Sequence, residues 1–176
     1  MTLPAQWSPI EKMPLGLPGG ATVSLPVCRA RFRAWDGPAP SADPGAKPVL
    51  DHGGEAFFAE AMILRLLQQH GWDGVWVQTN GGVHFVRSIP ADRNSASGWV
   101  ELPAARVDVL RGIWDAARTK ACFDLFVWQG ERLMFCKARR RGRERLTPAQ
   151  RKFVDGALAC GFAASQLLVV EWDAVP

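Results

Sequence analysis

No apolar run in this 176-residue chain approaches the roughly 18 consecutive residues of a membrane-spanning helix, so no membrane partner is expected. The opening MTLPAQWSPIEKMPLG also lacks the basic start and continuous apolar stretch of an export signal, which makes a cytoplasmic home the expectation. Cysteine is scarce and scattered. Cys28, Cys122, Cys136 and Cys160 form no C-x-x-C pair, which argues against a zinc site and against a disulfide scaffold. His52, His70 and His84 show no metal-ligand spacing, no motif joins any of them to a serine in a triad, and the chain has no internal repeat.

With 48% apolar and 22% charged residues, the composition is that of an ordinary globular protein, and the length fits one domain with a sizeable core. Residues 1 to 50 carry the clearest chain breaks, PLGLPGG and DGPAPSADPGAKP, and are expected to form an N-terminal arm and loop without long regular elements. Between those breaks ATVSLPVCRARFRAW alternates. Arg29, Arg31 and Arg33 fall on one face and Ala30, Phe32 and Ala34 on the other, the pattern of a half-buried strand. The main domain is then residues 51 to 176.

Within it, GGEAFFAEAMILRLLQQHG predicts a centrally buried helix over about 55 to 70, ended by Gly71. GVWVQT and VHFVRSI, separated by Asn80-Gly81-Gly82, predict a hairpin, and a polar loop follows over 90 to 100. A second helix starts near Pro103, with Val107, Leu110, Ile113, Trp114 and Ala117 as its apolar stripe. CFDLFVW and RLMFCKA read as paired strands, and a third helix over 148 to 160 opens with Thr147 as N-cap, Pro148 at the first position and Gln150 completing a capping box. LLVVEW is the last strand. This order predicts an α/β fold, a mixed sheet flanked by helices on both faces.

These segments, EAMILRLLQQHGW and FDLFVWQGERLMFCKARRRGRERLTPAQRKF, resemble the PD-(D/E)XK nuclease-like superfamily, and within it the VRR-NUC type. The resemblance spans about residues 55 to 172, with 79 to 121 poorly matched. It implies a restriction-endonuclease-like sheet that supports two acids and a lysine around Mg²⁺ or Mn²⁺ for phosphodiester hydrolysis in DNA. Hard divalent cations prefer oxygen ligands, and a lysine can orient water or stabilise developing negative charge. Carried over by position, Asp124 matches the first acid of the strand pair, although Phe123 stands where proline is usual, and Glu60 matches the helix acid, with Glu55 as a second candidate. Gln150 matches the family's helix glutamine, although its capping role explains it without any function.

The second strand departs from the pattern. Aligned without a gap from Asp124, Lys137 takes the place of the second acid and Arg139 that of the lysine; in the other register Lys137 is the lysine and Phe135 takes the place of the acid. Phe135, Lys137 and Arg139 share one strand face in either register, so no carboxylate is available there. The motif is therefore degenerate. No metal is expected at such a site, with Mg²⁺ or Mn²⁺ bound by Asp124 and Glu60 only if it is active through an acid recruited from Glu131 or Glu144. The missing acid favours Asp124 as the salt-bridge partner of Lys137. Trp72, Trp76, Trp114, Trp128 and Trp172 fit core positions, whereas Trp7 and Trp35 are less constrained.

Positive charge is concentrated in KARRRGRER, residues 137 to 145, where only Glu144 opposes it; the chain as a whole carries a net +4. Grouped arginines gain phosphate contacts through counterion release, so Arg139, Arg140, Arg141, Arg143 and Arg145 are the candidate nucleic-acid-binding residues. The expected function is nucleic-acid binding, DNA first, on a nuclease-like scaffold with an inactive metal site. An active metal-dependent endonuclease and a protein-interaction or structural component are the alternatives, and a homodimer or protein partner stays open.

Overall fold

The computed structural model describes residues 3, 7–38, 47–79, 82–87 and 98–176. Among these the chain forms one mixed sheet of nine strands and three flanking α-helices. The strands are β1 (Glu11–Gly16), β2 (Thr22–Ala34), β3 (Leu50–His52), β4 (Glu55–Phe57), β5 (Asp73–Gln78), β6 (His84–Val86), β7 (Leu125–Gln129), β8 (Arg132–Arg140) and β9 (Leu167–Val175). The helices are α1 (Ala59–Gln69), α2 (Ala104–Ala117) and α3 (Pro148–Ala159). Spatial order is β4-β3-β2-β9-β8-β7-β5-β6, with β1 paired to β2. The sheet is mixed because β9 runs parallel to both β2 and β8, whereas the other neighbouring pairs are antiparallel.

Two expectations are corrected here. The strand expected in ATVSLPVCRARFRAW forms as β2, and at 13 residues it is the long regular element that the first 50 residues were not expected to hold. Its alternation sends Leu25 and Val27 into one apolar layer and Cys28 and Phe32 into the other, and the breaks at either end only delimit it. Trp7, ahead of β1, is also buried, at 1% exposure. The first helix starts later than predicted, because Glu55–Phe57 pairs with Leu50–His52 as a hairpin. Gly53 and Gly54, at φ +65° and +86°, supply the two left-handed positions of that tight turn. Of the predicted β5–β6 turn, residues 80 and 81 lie outside the described residues, as do 88 and 89 at the end of VHFVRSI, 90–97 of the polar loop and 39–46 within DGPAPSADPGAKP; β5 and β6 themselves pair as predicted.

Each face of the sheet has its own apolar layer. On one, α2 presents Leu110 and Ile113 and α3 presents Phe153, Val154 and Ala157 to Phe126, Phe135 and Val169. Phe135 stacks on Phe126 at 4.7 Å and meets Phe153 edge-on at 5.1 Å. On the other, α1 lays Met62, Ile63 and Leu67 on Cys28, Met134, Cys136 and Val170. The two faces follow the odd and even positions of β8, the period-two alternation of a strand buried on both sides. Helix α3 begins as its sequence predicts: Thr147 Oγ1 accepts from the Gln150 backbone N–H at 3.2 Å, and Gln150 Oε1 accepts from the Thr147 N–H at 3.1 Å.

The topology gathers several chain ends together. Because β5 and β8 are each antiparallel to β7, their C-terminal ends lie beside the N-terminal end of β7. The N-terminal end of β6 joins them, since His84 pairs with Gln78.

Candidate functional site at one end of the sheet

Asp124 immediately precedes β7 and faces Lys137 of β8, one step beyond the paired Leu125 and Cys136. Lys137 Nζ donates to both carboxylate oxygens, at 2.9 and 3.1 Å, and the Ala138 backbone N–H donates to Oδ2 at 2.8 Å. The two side chains are only 12% and 17% exposed. Burial pushes the Asp124 carboxyl up to about 6, although the Lys137 ammonium pulls it down; the nearby Glu60 carboxylate adds a smaller upward push. Burial also works against the Lys137 ammonium, but Asp124 outweighs it and holds the amine above its usual range.

Glu60 lies in the first turn of α1 and has a lysine of its own. Lys47 Nζ sits 2.7 Å from Glu60 Oε1, with Glu60 13% exposed and Lys47 half exposed. The ammonium also lies over the rings of Trp76, at 5.2 Å, and Phe58, at 6.0 Å. Burial of the carboxylate and the two aromatic faces give this pair more than an exposed ion pair would have. Each of the two acids that sequence placed at the site is thus neutralised by a lysine.

Comparison with protein-family models, with curated proteins and with solved structures finds no match to this chain. The site is therefore read from its own residues. Three of the predicted residues come together: Asp124 and Lys137 are paired, and the Glu60 carboxylate lies close enough for its charge to act on both. Gln150 does not join them chemically, since its side-chain oxygen caps α3. Glu55 is on β4 rather than on α1, and Glu131 lies in the turn at the far end of the β7–β8 hairpin. Glu144 is exposed, although its charge reaches Lys137. Phe135 is fully buried in the aromatic layer.

These residues do not fit a divalent cation. Both Asp124 oxygens accept from the Lys137 ammonium, and among the described residues no group of three or more His, Cys, Asp or Glu side chains is placed to hold a metal ion. An ammonium in the coordination shell repels Mg²⁺ or Mn²⁺ and offers it no lone pair.

The predicted basic residues divide into two kinds. Arg139 points onto the sheet and pairs with Glu171 of β9, directly opposite in register, while its other terminal nitrogen meets Met13 Sδ. Its buried Nε has no hydrogen-bond partner among the described residues. Arg140 lies over the Trp172 ring at 5.8 Å. Beyond β8 the chain turns through Gly142 at φ +68°, and Arg141, Arg143 and Arg145 are exposed. Arg141 has a loose ion pair to Asp173 at 3.8 Å; among the described residues Arg143 and Arg145 have none. Sequence reasoning missed Glu171 and Lys47. A lone acid inside LLVVEW could have signalled a buried partner, since a charge in that setting needs one. Nothing in the sequence marks Lys47, which reaches Glu60 across 13 residues by tertiary folding alone.

Proposed function

We propose that this protein binds nucleic acid through the exposed loop after β8, on a nuclease-like scaffold whose metal site has been replaced by lysine–carboxylate pairs. The observation that carries the reading is the contact of Lys137 Nζ with both Asp124 oxygens, which engages with a fixed positive charge the carboxylate that the family resemblance assigns to a metal. The same pairing favours binding. Two uncompensated carboxylates would repel a phosphate backbone, whereas Asp124–Lys137 and Glu60–Lys47 are each neutral overall. Arg141, Arg143 and Arg145 then dominate the local field, with the planar fork that suits phosphate.

The test is an incubation of linear, branched and single-stranded DNA with the protein in Mg²⁺ and then Mn²⁺, beside the Asp124→Ala variant, resolved under both native and denaturing conditions. Retardation without cleavage is expected for both proteins. Affinity should fall steeply with salt, and replacing Arg141, Arg143 and Arg145 by alanine should reduce the single-strand slope of log K against log salt by about 2. Metal-dependent cleavage that disappears with Asp124→Ala overturns the inactive-site part of the reading. Salt-insensitive or absent binding overturns the nucleic-acid part and favours a protein partner.

A further inference from the structure

Large apolar side chains are rarely exposed in this protein; among the described residues only Ile10 and Trp99 are, and Trp99 is 43% exposed. Trp99 does not hang freely from a loop. Its backbone bridges Val86 of β6, flanked by hydrogen bonds from Arg87 N–H to the Gly98 carbonyl, 3.2 Å, and from Val100 N–H to the Phe85 carbonyl, 2.8 Å. The indole is stacked on the His84 ring, with centroids 3.9 Å apart and planes 17° from parallel. Gly82 leaves room for that ring, because a Cβ there would lie 3.0 Å from His84 Nε2 and the backbone is held at φ +134°. The result is a flat, backbone-anchored aromatic stack on the edge strand.

The stack sits at the end of the sheet that holds the ion-paired site and the basic loop, since His84 pairs with Gln78 at the C-terminal end of β5. From β8 to the Trp99 segment, which bridges the outer side of β6, there are four strand-to-strand steps, about 19 Å at ~4.8 Å each. A few nucleotides of an extended strand cover that distance. Arginines at one side, neutralised carboxylates between and an aromatic face at the other form the combination that single-stranded nucleic acid requires: charge for the backbone and a stacking surface for a base.

We infer that Trp99, backed by His84, is a base-stacking platform for single-stranded nucleic acid whose backbone is held by Arg141, Arg143 and Arg145. This inference rests on the nucleic-acid-binding reading above, and adds to it a preference for unpaired bases. A duplex keeps its bases stacked on one another and offers Trp99 no free face.

The experiment measures fluorescence anisotropy of a labelled single-stranded oligothymidylate and of a strand of equal length made of abasic sites, with wild type, Trp99→Ala and Trp99→Phe. Wild type should prefer the base-containing strand, and Trp99→Ala should lose roughly tenfold in affinity for it, within the range of base–aromatic stacking. Affinity for the abasic strand and the salt slope should not change, because the indole neutralises no phosphate. Trp99→Phe should retain most of the preference, and matching circular dichroism of the three proteins shows that the fold is intact. Equal affinity of wild type and Trp99→Ala for oligothymidylate, with normal salt dependence, overturns this inference and leaves the nucleic-acid reading standing. Failure of wild type to bind either strand overturns this inference, and it overturns the nucleic-acid reading as well if duplex DNA is not bound either.

Discussion

Replacing Lys137 by methionine keeps the aliphatic stem and removes the ammonium, leaving the Asp124 carboxylate buried with the Ala138 N–H as its one remaining hydrogen-bond donor among the contacts described above. Breaking a buried ion pair from one side costs about 3–5 kcal/mol, and side-chain exposures of 12% and 17% put this pair near the lower figure. A loss of about 3 kcal/mol is a large part of the roughly 5–15 kcal/mol that holds a domain together. The loss should depend on pH. In the wild type burial raises Asp124 from 3.8 to about 6, so between those pH values the folded state holds a proton that the unfolded state releases. Stability from this group is therefore complete below the lower value and declines as pH rises through the upper one, by up to about 3 kcal/mol at 1.4 kcal/mol per unit.

Without Lys137 the folded-state value moves higher still. The variant should then lose about 3 kcal/mol against wild type near pH 7.5, and about 1 kcal/mol or less near pH 4.5, where the acid is mostly protonated in both folded proteins. Urea unfolding followed by tryptophan fluorescence at the two pH values reads this directly. Adding Asp124→Asn to Lys137→Met should restore most of the loss at neutral pH, since the remaining partner is then uncharged. An equal loss at both pH values, or no recovery in the double variant, would refute the charge-based account and leave only packing.

Glu171→Ala should be destabilising by about 2 kcal/mol in the same assay, because it strands the part-buried Arg139 guanidinium, whose buried Nε already lacks a partner among the described residues; a loss below about 1 kcal/mol would mean that Arg139 reaches water. Gly156→Ala should cost about 1–3 kcal/mol despite the better helix propensity of alanine, since its Cβ would lie 2.7 Å from Ala117 Cβ and 2.8 Å from the Ile113 carbonyl at the α2–α3 crossing. Thermal melting of that variant measures the loss, and an unchanged or raised Tm would show that the helices separate easily.

Local signals in the sequence were read correctly where they were strong. Thr147-Pro148-Ala149-Gln150 predicts the start of α3 and its capping box, both of which form. Asp124 stands one residue before β7 and Lys137 on the adjacent β8, and the pairing of those strands follows from one short turn, so their salt bridge was legible in the sequence. Long-range partners were not. Lys47 meets Glu60, and Arg139 meets Glu171 across 32 residues, because separate elements converge in the folded sheet. One misreading came from weighing the breakers too heavily and the other from passing over them. Proline and glycine around β2 delimit a strand whose alternation is strong, and Gly53-Gly54 makes a hairpin turn where a helix start was expected. Trp99 carried no periodic signal, since a single bridge to Val86 places it.

The lysine pairs bear on metal dependence in a way that activity assays alone do not reach. Two ammonium groups bring the same formal charge as one divalent cation, and they are tethered to the chain, so the neutralisation they provide is part of the fold. They can neither act as a Lewis acid nor turn a bound water into hydroxide, which is what hydrolysis takes from a metal. If the pairs hold the site, the folded state has no differential affinity for Mg²⁺ or Mn²⁺ there, and linkage predicts no stabilisation by either ion. A site with a Kd of about 10 µM, exposed to about 1 mM ion, would instead add about 2.7 kcal/mol, or roughly 5–10 °C in Tm for a chain of this size. Thermal melting in EDTA and in millimolar Mn²⁺ should therefore coincide for the wild type. A rise of several degrees in Mn²⁺ that vanishes in Asp124→Ala would mean that the ion displaces Lys137, and that the carboxylates are held in reserve for a metal after all.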